Sequence, residues 1–514
     1  MDIALDGHTL TSSEVLRIAS GRATVSLSSN ALPRVNAARS VVERILANDE
    51  TVYGINTGFG ALVHQRISSE DLSQLQTNLV RSHATAIGEL MSKESVRAMM
   101  AVRINSLAKG NSGVHPDVLN QLINFLNCDI VPAIPRIGSL GASGDLAPLS
   151  HMALSLIGEG EVLRNDGSVE STSIQLSKHG LIPLELRAKD GLSLINGTSQ
   201  MCSYLSLAEQ KIADLLVYAD LALCASIEAR KASVKPSDPR VHDARPHPGQ
   251  LLVSQRIRQI LHESPIMDSH SDCEQVQDAY SFRCAPQVHG AIYERFTALQ
   301  STLGIELNSA TDNPLVFPDL SNPGSHEVIS QGNFHGEILA LAADSMTSAL
   351  FELGSISERR IDQLLDPARS KLPAFLAKDS GLESGLMIVQ YVAGASLSEL
   401  HGHAAPRAIF STSTSAGQED HVSMGATACW NLLQATKRIA EVLACEVVVA
   451  CEALEFNETE PSKHVAALKQ RVRSIVPPLN GDRSTSAELI AVANELLDSK
   501  WLARVEAEVG RLPR

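Results

Sequence analysis

Cysteine is sparse in this sequence, positive charge is outnumbered, and no long apolar run goes uninterrupted. The eight cysteines among 514 residues, Cys128, Cys202, Cys224, Cys273, Cys284, Cys429, Cys445 and Cys451, include no C-x-x-C pair and are spread too thinly for a disulfide framework. A reducing compartment fits that pattern. Lys and Arg number 43 against 58 Asp and Glu, a formal charge of −15. No broad phosphate-neutralising surface is expected, and nucleic acid is not an expected partner. The most apolar stretch, Ile439 to Phe456, is broken by Glu441, Glu446, Glu452 and Glu455. Each would be costly in a bilayer, so the stretch reads as a buried bundle helix and no membrane partner is expected. Met1 to His8 shows no basic segment followed by an apolar one, so no secretory leader is expected and the cytoplasm is the expected location.

What is present is apolar and helical. Hydrophobic residues make up 44% of the chain and charged ones 20%, enough apolar surface for a large core and too little charge for a disordered chain. At roughly 150 residues per domain the length allows about three domains or one large enzyme unit. Leu72, Leu75 and Leu79 share a helical stripe that leads into His83, with Ser68 and Asp71 spaced as a capping pair. A second helix is expected over Lys93 to Lys109, stopped by Gly110, and a third from Pro116, carrying Val118, Leu119, Leu122, Ile123 and Leu126. The stretches 201–230, 336–365, 385–400 and 425–456 lack internal proline, and most are long for surface helices. Strand signals are few: Ala23 to Leu27, Thr51 to Tyr53 and Glu161 to Leu163. The expected fold is mainly α, an elongated helical bundle (201–514) with a smaller N-terminal domain (1–200) that carries the Gly-rich loop described next.

That loop, Gly138-Ser139-Leu140-Gly141-Ala142-Ser143-Gly144-Asp145-Leu146, has glycine every third position around a small Ala-Ser-Gly core. In a tight enough turn the Gly144 nitrogen, unshielded by any Cβ, can approach the Ala142 carbonyl carbon and close a five-membered ring. Loss of water, including the Ser143 hydroxyl, then leaves an exocyclic methylidene electrophile made without an added cofactor. The same residues also read as the start of a helix with Ser143 or Asp145 as its N-cap. A phosphate loop does not fit, since G-x-x-x-x-G-K-[ST] is missing. A serine hydrolase fits poorly, because the segment is one residue short of G-x-S-x-G and His151 follows too closely to be an obvious base.

Gly141-Ala142-Ser143-Gly144-Asp145-Leu146-Ala147-Pro148-Leu149 resembles the signature of the aromatic amino acid ammonia-lyases, the methylidene-imidazolone enzymes. Further motifs of that family stand in the same order: Tyr53-Gly54-Ile55-Asn56-Thr57-Gly58-Phe59-Gly60, Leu194-Ile195-Asn196-Gly197-Thr198, Gln277 to Gln287, Thr311-Asp312-Asn313-Pro314 and Gly332-Asn333-Phe334-His335. The resemblance covers the chain from about residue 8 to 500. It implies a 4-methylidene-imidazol-5-one (MIO) group formed from Ala142, Ser143 and Gly144, with no external cofactor, in a homotetramer acting on a small amino acid. His151, His335 and His421 have no metal-ligand spacing to one another or to Cys, so no catalytic metal is expected.

By the same resemblance Tyr53 is the general base, Tyr280 belongs to the catalytic set, Arg283 clamps the substrate carboxylate, and Asn196 bonds near the MIO group and substrate. Gln277 and Phe334 are pocket wall. Taken singly, each has a plainer reading: a packing tyrosine, a surface cation–π pair of Tyr280 with Arg283, a turn asparagine, ordinary core. Ser82-His83 and Gln418-Glu419-Asp420-His421 resemble the histidine-specific members, with His83 and Glu419 as the ring-recognition pair. A carboxylate facing an imidazole can accept its N–H and favour the charged ring. The implied reaction is elimination of ammonia from L-histidine to give trans-urocanate. A tyrosine or phenylalanine lyase, an aminomutase of the same family and, more remotely, an inactive helical scaffold are the alternatives. Gly417, Ala279 and Thr85-Ala86 depart from the histidine-lyase pattern, which more often has Asn, Pro and Ala-Gly there.

Overall fold

The computed structural model describes residues 2–48, 50–58, 67–270, 276–319, 321–322 and 325–514. Phe59, Gly60 and Cys273 lie outside the described residues. The fold is mainly α: the described residues form 21 α-helices and four two-stranded sheets. The expected long helices are present as Ser199–Arg230, Glu337–Leu365, Met387–Ala404 and Gly425–Leu454. None of the helices among the described residues is long and apolar enough to cross a membrane. The strands at Thr24–Leu27 and Glu161–Leu163 form as expected, paired with Asp2–Leu5 and Val169–Ser171. Thr51 to Tyr53 is not a strand. Its alternation is too short to compete with the turn set by Gly54 at φ +75°.

The chain forms two compact units. The first comprises residues 1–207, 300–344 and 406–430, and so takes in two later segments besides the expected N-terminal region. Its core includes Ala38, Val41, Val42 and Ile45 from helix Ala31–Ala47, packed with Ile55, Leu72 and Val316. Helix Leu72–His83 starts as expected except at its cap, where Ser68 Oγ donates to Asp71 Oδ2 at 2.7 Å and makes no bond to a backbone amide. Helix Lys93–Ala108 is buried on all sides from Ser95 onward, which is why its sequence shows no polar stripe. The second unit comprises residues 208–299, 345–405 and 431–514 and is almost wholly helical.

A buried ion pair lies in the interior of the first unit. Lys189 Nζ lies 3.0 Å from Asp312 Oδ2, with both side chains fully buried, and the Ser112 and Ser193 hydroxyls donate to the same carboxylate at 3.0 and 3.3 Å. Removing one partner leaves an uncompensated charge in the interior. Lys189→Met is therefore expected to cost about 3–5 kcal/mol of stability in denaturant titrations. A loss below about 1 kcal/mol would show that Asp312 is compensated elsewhere.

Candidate active site

Residues 138–145 form a turn that only glycine can make. Gly141 and Gly144 have φ of +68° and +73°, in the left-handed region. At Gly144 a Cβ would stand 2.2 Å from the Gly197 carbonyl oxygen, so any side chain is excluded sterically. The turn is tied from several directions. Asp145 N donates to the Gly197 carbonyl at 2.8 Å, and Asn196 Nδ2 donates to the Ser143 carbonyl at 2.7 Å. Gly336 N and Ser423 Oγ donate to the Gly141 carbonyl at 2.9 and 3.0 Å, and Met424 N donates to that of Leu140 at 2.8 Å.

Asp145 does not cap the helix it precedes. Its Oδ2 instead accepts from Gln200 N and Met201 N, at 2.8 and 3.1 Å, at the start of helix Ser199–Arg230, and Ser139 donates to Oδ1 at 2.8 Å. Burial pushes its carboxyl up to about 7, against the pull of those hydrogen bonds and of Arg103. Arg103, itself fully buried, donates to the Asn196 carbonyl at 2.6 Å, so both sides of the Ser143–Asn196 contact are held by interior groups.

Beside this turn is a cavity of about 690 Å³ lined by Tyr53, His83, Ser143, Asn196, Phe334 and Glu419, with Leu79, Leu192 and Ile195 as apolar wall. Six of the residues singled out from sequence thus meet at one place, all from the first unit. Ala142 and Gly144 flank Ser143 and are buried. Glu419 Oε1 accepts from Ser143 Oγ at 2.6 Å and Oε2 from Thr414 Oγ1 at 2.9 Å. Burial pushes the His83 imidazole below the usual histidine range, while the nearby Glu419 charge pulls it upward. The Asn196 Oδ1 atom is buried without a hydrogen-bond partner, an acceptor left open beside Ser143. Gly417 has φ +90°, a conformation that suits Gly and is tolerated by Asn, so this departure leaves the turn between Thr414 and Glu419 intact.

Gln277, Tyr280 and Arg283 are not among these residues. They belong to the second unit, where Gln277 and Arg283 line a separate cavity of about 740 Å³ and Tyr280 is 70% exposed. The Arg283 guanidinium lies 4.6 Å from the centre of the Tyr280 ring, the stacking expected of residues three apart on a helix. Gln331 and Thr414 were not singled out from sequence. Gln331 lines the first cavity and donates Nε2 to the Asp312 carbonyl at 2.7 Å, and Thr414 holds Glu419. The available signal for Gln331 was its place directly before Gly332-Asn333-Phe334; Thr414 had none, being one of several Ser and Thr in its loop.

The arrangement sets a tight small-residue turn, a tyrosine, a histidine and a carboxylate around one chamber walled by both polar and apolar side chains. The aromatic amino acid lyase family model matches residues 10–474. The chain is 45% identical to a histidine ammonia-lyase of Myxococcus xanthus over 98% of each chain. Among solved structures, histidine ammonia-lyase from Trypanosoma cruzi superposes with a TM-score of 0.90 at 38% identity, over 99% of this chain and 95% of that one. Tyrosine aminomutase from Streptomyces globisporus superposes with a TM-score of 0.93 at 36% identity over 100% of both. With the motifs, the turn and these full-length similarities in agreement, the chain belongs to the aromatic amino acid lyase family.

Proposed function

We propose that this chain eliminates ammonia from L-histidine to give trans-urocanate. The observation that carries the choice of substrate is Glu419, a carboxylate in the cavity wall near His83, where an imidazole N–H would find an acceptor and a phenyl ring would leave the charge unmatched. The curated relative from Myxococcus xanthus bears the same activity in its name.

Residues 142–144 fit an MIO group. Gly144 is backed so closely by Gly197 that no side chain fits there, Asn196 holds the Ser143 carbonyl, and the Asn196 Oδ1 atom is buried without a donor. Once formed, such a ring supplies an electrophile for the substrate amine, turning ammonia from a poor leaving group into a better one. The chain's own side chains do the rest. Tyr53 Oη takes the β-proton, His83 and Glu419 orient the imidazole, and Phe334 with the leucine wall excludes water. Arg283 meets the carboxylate with its planar fork, with Tyr280 stacked on it and Gln277 alongside.

Gln277, Tyr280 and Arg283 are not among the residues that line the Ser143 cavity, and this reading includes a homotetramer in which another copy supplies them. Exposed apolar stripes support association: Ile338 and Leu341 on one helix, and Ile388, Tyr391 and Val392 on another. The negative charge and free thiols suit a cytoplasmic enzyme.

A product screen of the purified protein with L-histidine, L-tyrosine and L-phenylalanine tests the reading. Trans-urocanate from L-histidine is expected. A β-amino acid product would identify an aminomutase, the reading favoured by the tyrosine aminomutase likeness, and preference for tyrosine would overturn the substrate assignment. Glu419→Gln keeps shape and an acceptor while removing charge. Histidine turnover is expected to fall roughly two to three orders of magnitude, the scale of one charge-assisted contact in the transition state. Activity on phenylalanine or tyrosine should hold or rise slightly. Unchanged histidine deamination in that variant would remove Glu419 from ring recognition.

A further inference from the structure

The second unit holds a buried chain of charged groups that no step above uses. Arg360, on helix Glu337–Leu365, is completely buried, and its Nε and Nη2 donate to the two carboxylate oxygens of Glu446 at 2.5 and 2.8 Å. The Ser226 and Ser357 hydroxyls donate to the same two oxygens at 2.9 and 2.6 Å, so Glu446 is fully satisfied. The remaining arm of the guanidinium, Nη1, lies 3.4 Å from the Ser281 carbonyl and 3.4 Å from His289 Nε2. A guanidinium only donates, so His289 Nε2 must accept there, which puts the ring proton on Nδ1, 2.7 Å from Asp220 Oδ1. The second Asp220 oxygen takes Arg256 Nη1 at 3.0 Å, and Arg256 Nε donates to the Pro513 carbonyl at 2.6 Å.

Cohesion alone is a poor reason to bury so much charge, since apolar side chains of the same volume often serve stability as well or better. Ser281 offers another reason. It sits in the short helix Tyr280–Arg283, two residues before Arg283, and its own hydroxyl is buried without a partner, so its tie to the network runs through the carbonyl. Arg283 is otherwise held lightly. Its Nε is 3.4 Å from the Asp278 carbonyl, its guanidinium stacks on Tyr280, and among the described residues it has no carboxylate partner.

We propose that Arg360 is a positioning residue: its Nη1 arm fixes the Ser281 carbonyl, and through it the place from which Arg283 meets the substrate carboxylate. This rests on the reading of Arg283 as the carboxylate anchor. His289, Asp220 and Arg256 form the backing that keeps the arm pointed at Ser281.

Arg360→Lys keeps a cation for Glu446 and removes the second arm. In the full-length protein, with whichever amino acid the wild type turns over, KM is expected to rise roughly tenfold or more while kcat changes less than about threefold. Two inhibitors separate positioning from general damage. The amine-free acid matching that substrate, imidazolepropionate in the case of L-histidine, should weaken as KM does. The carboxylate-free amine, histamine in that case, should inhibit as it does the wild type. His289→Asn, which can still face Asp220 and lacks the acceptor at Nε2, should show the same division on a smaller scale, and it decides alone if Arg360→Lys does not fold. Arg283→Gln is the reference. If it leaves the preference for the carboxylate-bearing inhibitor intact, the anchor reading falls and the positioning proposal with it. If Arg283→Gln abolishes that preference while Arg360→Lys and His289→Asn keep it, or weaken both inhibitors equally, the anchor stands and the positioning role is overturned.

Discussion

Ser143→Ala is expected to lower turnover by at least roughly three orders of magnitude, the scale on which enzymes lose activity when the group that bonds covalently to substrate is gone. The change removes only the hydroxyl whose loss as water would turn the closed ring into a methylidene electrophile. The folded chain should barely register it: Ser143 Oγ makes one hydrogen bond, to Glu419, whereas the turn is held through the backbone of Leu140, Gly141, Ser143 and Asp145. Stability should stay within about 1 kcal/mol of wild type. Two further measurements accompany the rate. Wild-type protein should absorb in the near ultraviolet with no added cofactor, and its 142–144 peptide should be lighter than the encoded one by two water molecules. Both signatures should vanish in the variant. Near-normal turnover in Ser143→Ala, or an unmodified Ala142-Ser143-Gly144 peptide in active wild type, would falsify the covalent reading.

Tyr53→Phe should leave the ring absorbance in place and reduce kcat by about 10²–10⁴, the usual contribution of a positioned proton acceptor. Tyr53 lines the same cavity as Ser143 and Glu419, and phenylalanine keeps its packing while deleting the one oxygen able to exchange a proton. The apparent KM should change little, because the hydroxyl is asked to act on the β-proton and not on the bound ground state. The opposite pattern, a raised KM with kcat unchanged, would make Tyr53 a binding residue and leave the base to be found elsewhere.

Much of this was legible in the residues. The long helices follow from runs without proline, and helices Lys93–Ala108 and Pro116–Asn127 end and begin close to where expected because Gly110 and Pro116 punctuate the chain locally. The small strands were mostly missed. Asp2–Leu5, Leu315–Pro318 and His326–Ile329 are each four residues long, too short for alternation to be distinguished from chance, and their pairing is set by tertiary packing. At the site, Tyr53, His83, Asn196, Phe334 and Glu419 were picked out by motif likeness, since no local pattern says that residues so far apart in sequence share one cavity. What Asp145 binds was not legible. Its position before Leu146 suggested a local cap, and only the three-dimensional fold brings the start of helix Ser199–Arg230 to its carboxylate. The Arg360 network was invisible for a similar reason: spacing along the chain does not reveal which arginines meet which carboxylates, and Glu446 read only as an interruption in an apolar helix.

The ties on Leu140 and Gly141 also fix a timetable. Their carbonyls are held by Gly336, Ser423 and Met424, which leave the ribosome long after the Gly-rich loop itself. A nascent chain therefore carries an ordinary, chemically quiet Ala-Ser-Gly segment through most of its synthesis, and the turn takes its final shape only when the late segments arrive. Any reactivity built into that turn is withheld until there is a folded interior to enclose it, so stray amines and thiols have no early access. On the proposed reading ring formation waits on folding, and chains released short of residue 423 should remain inert.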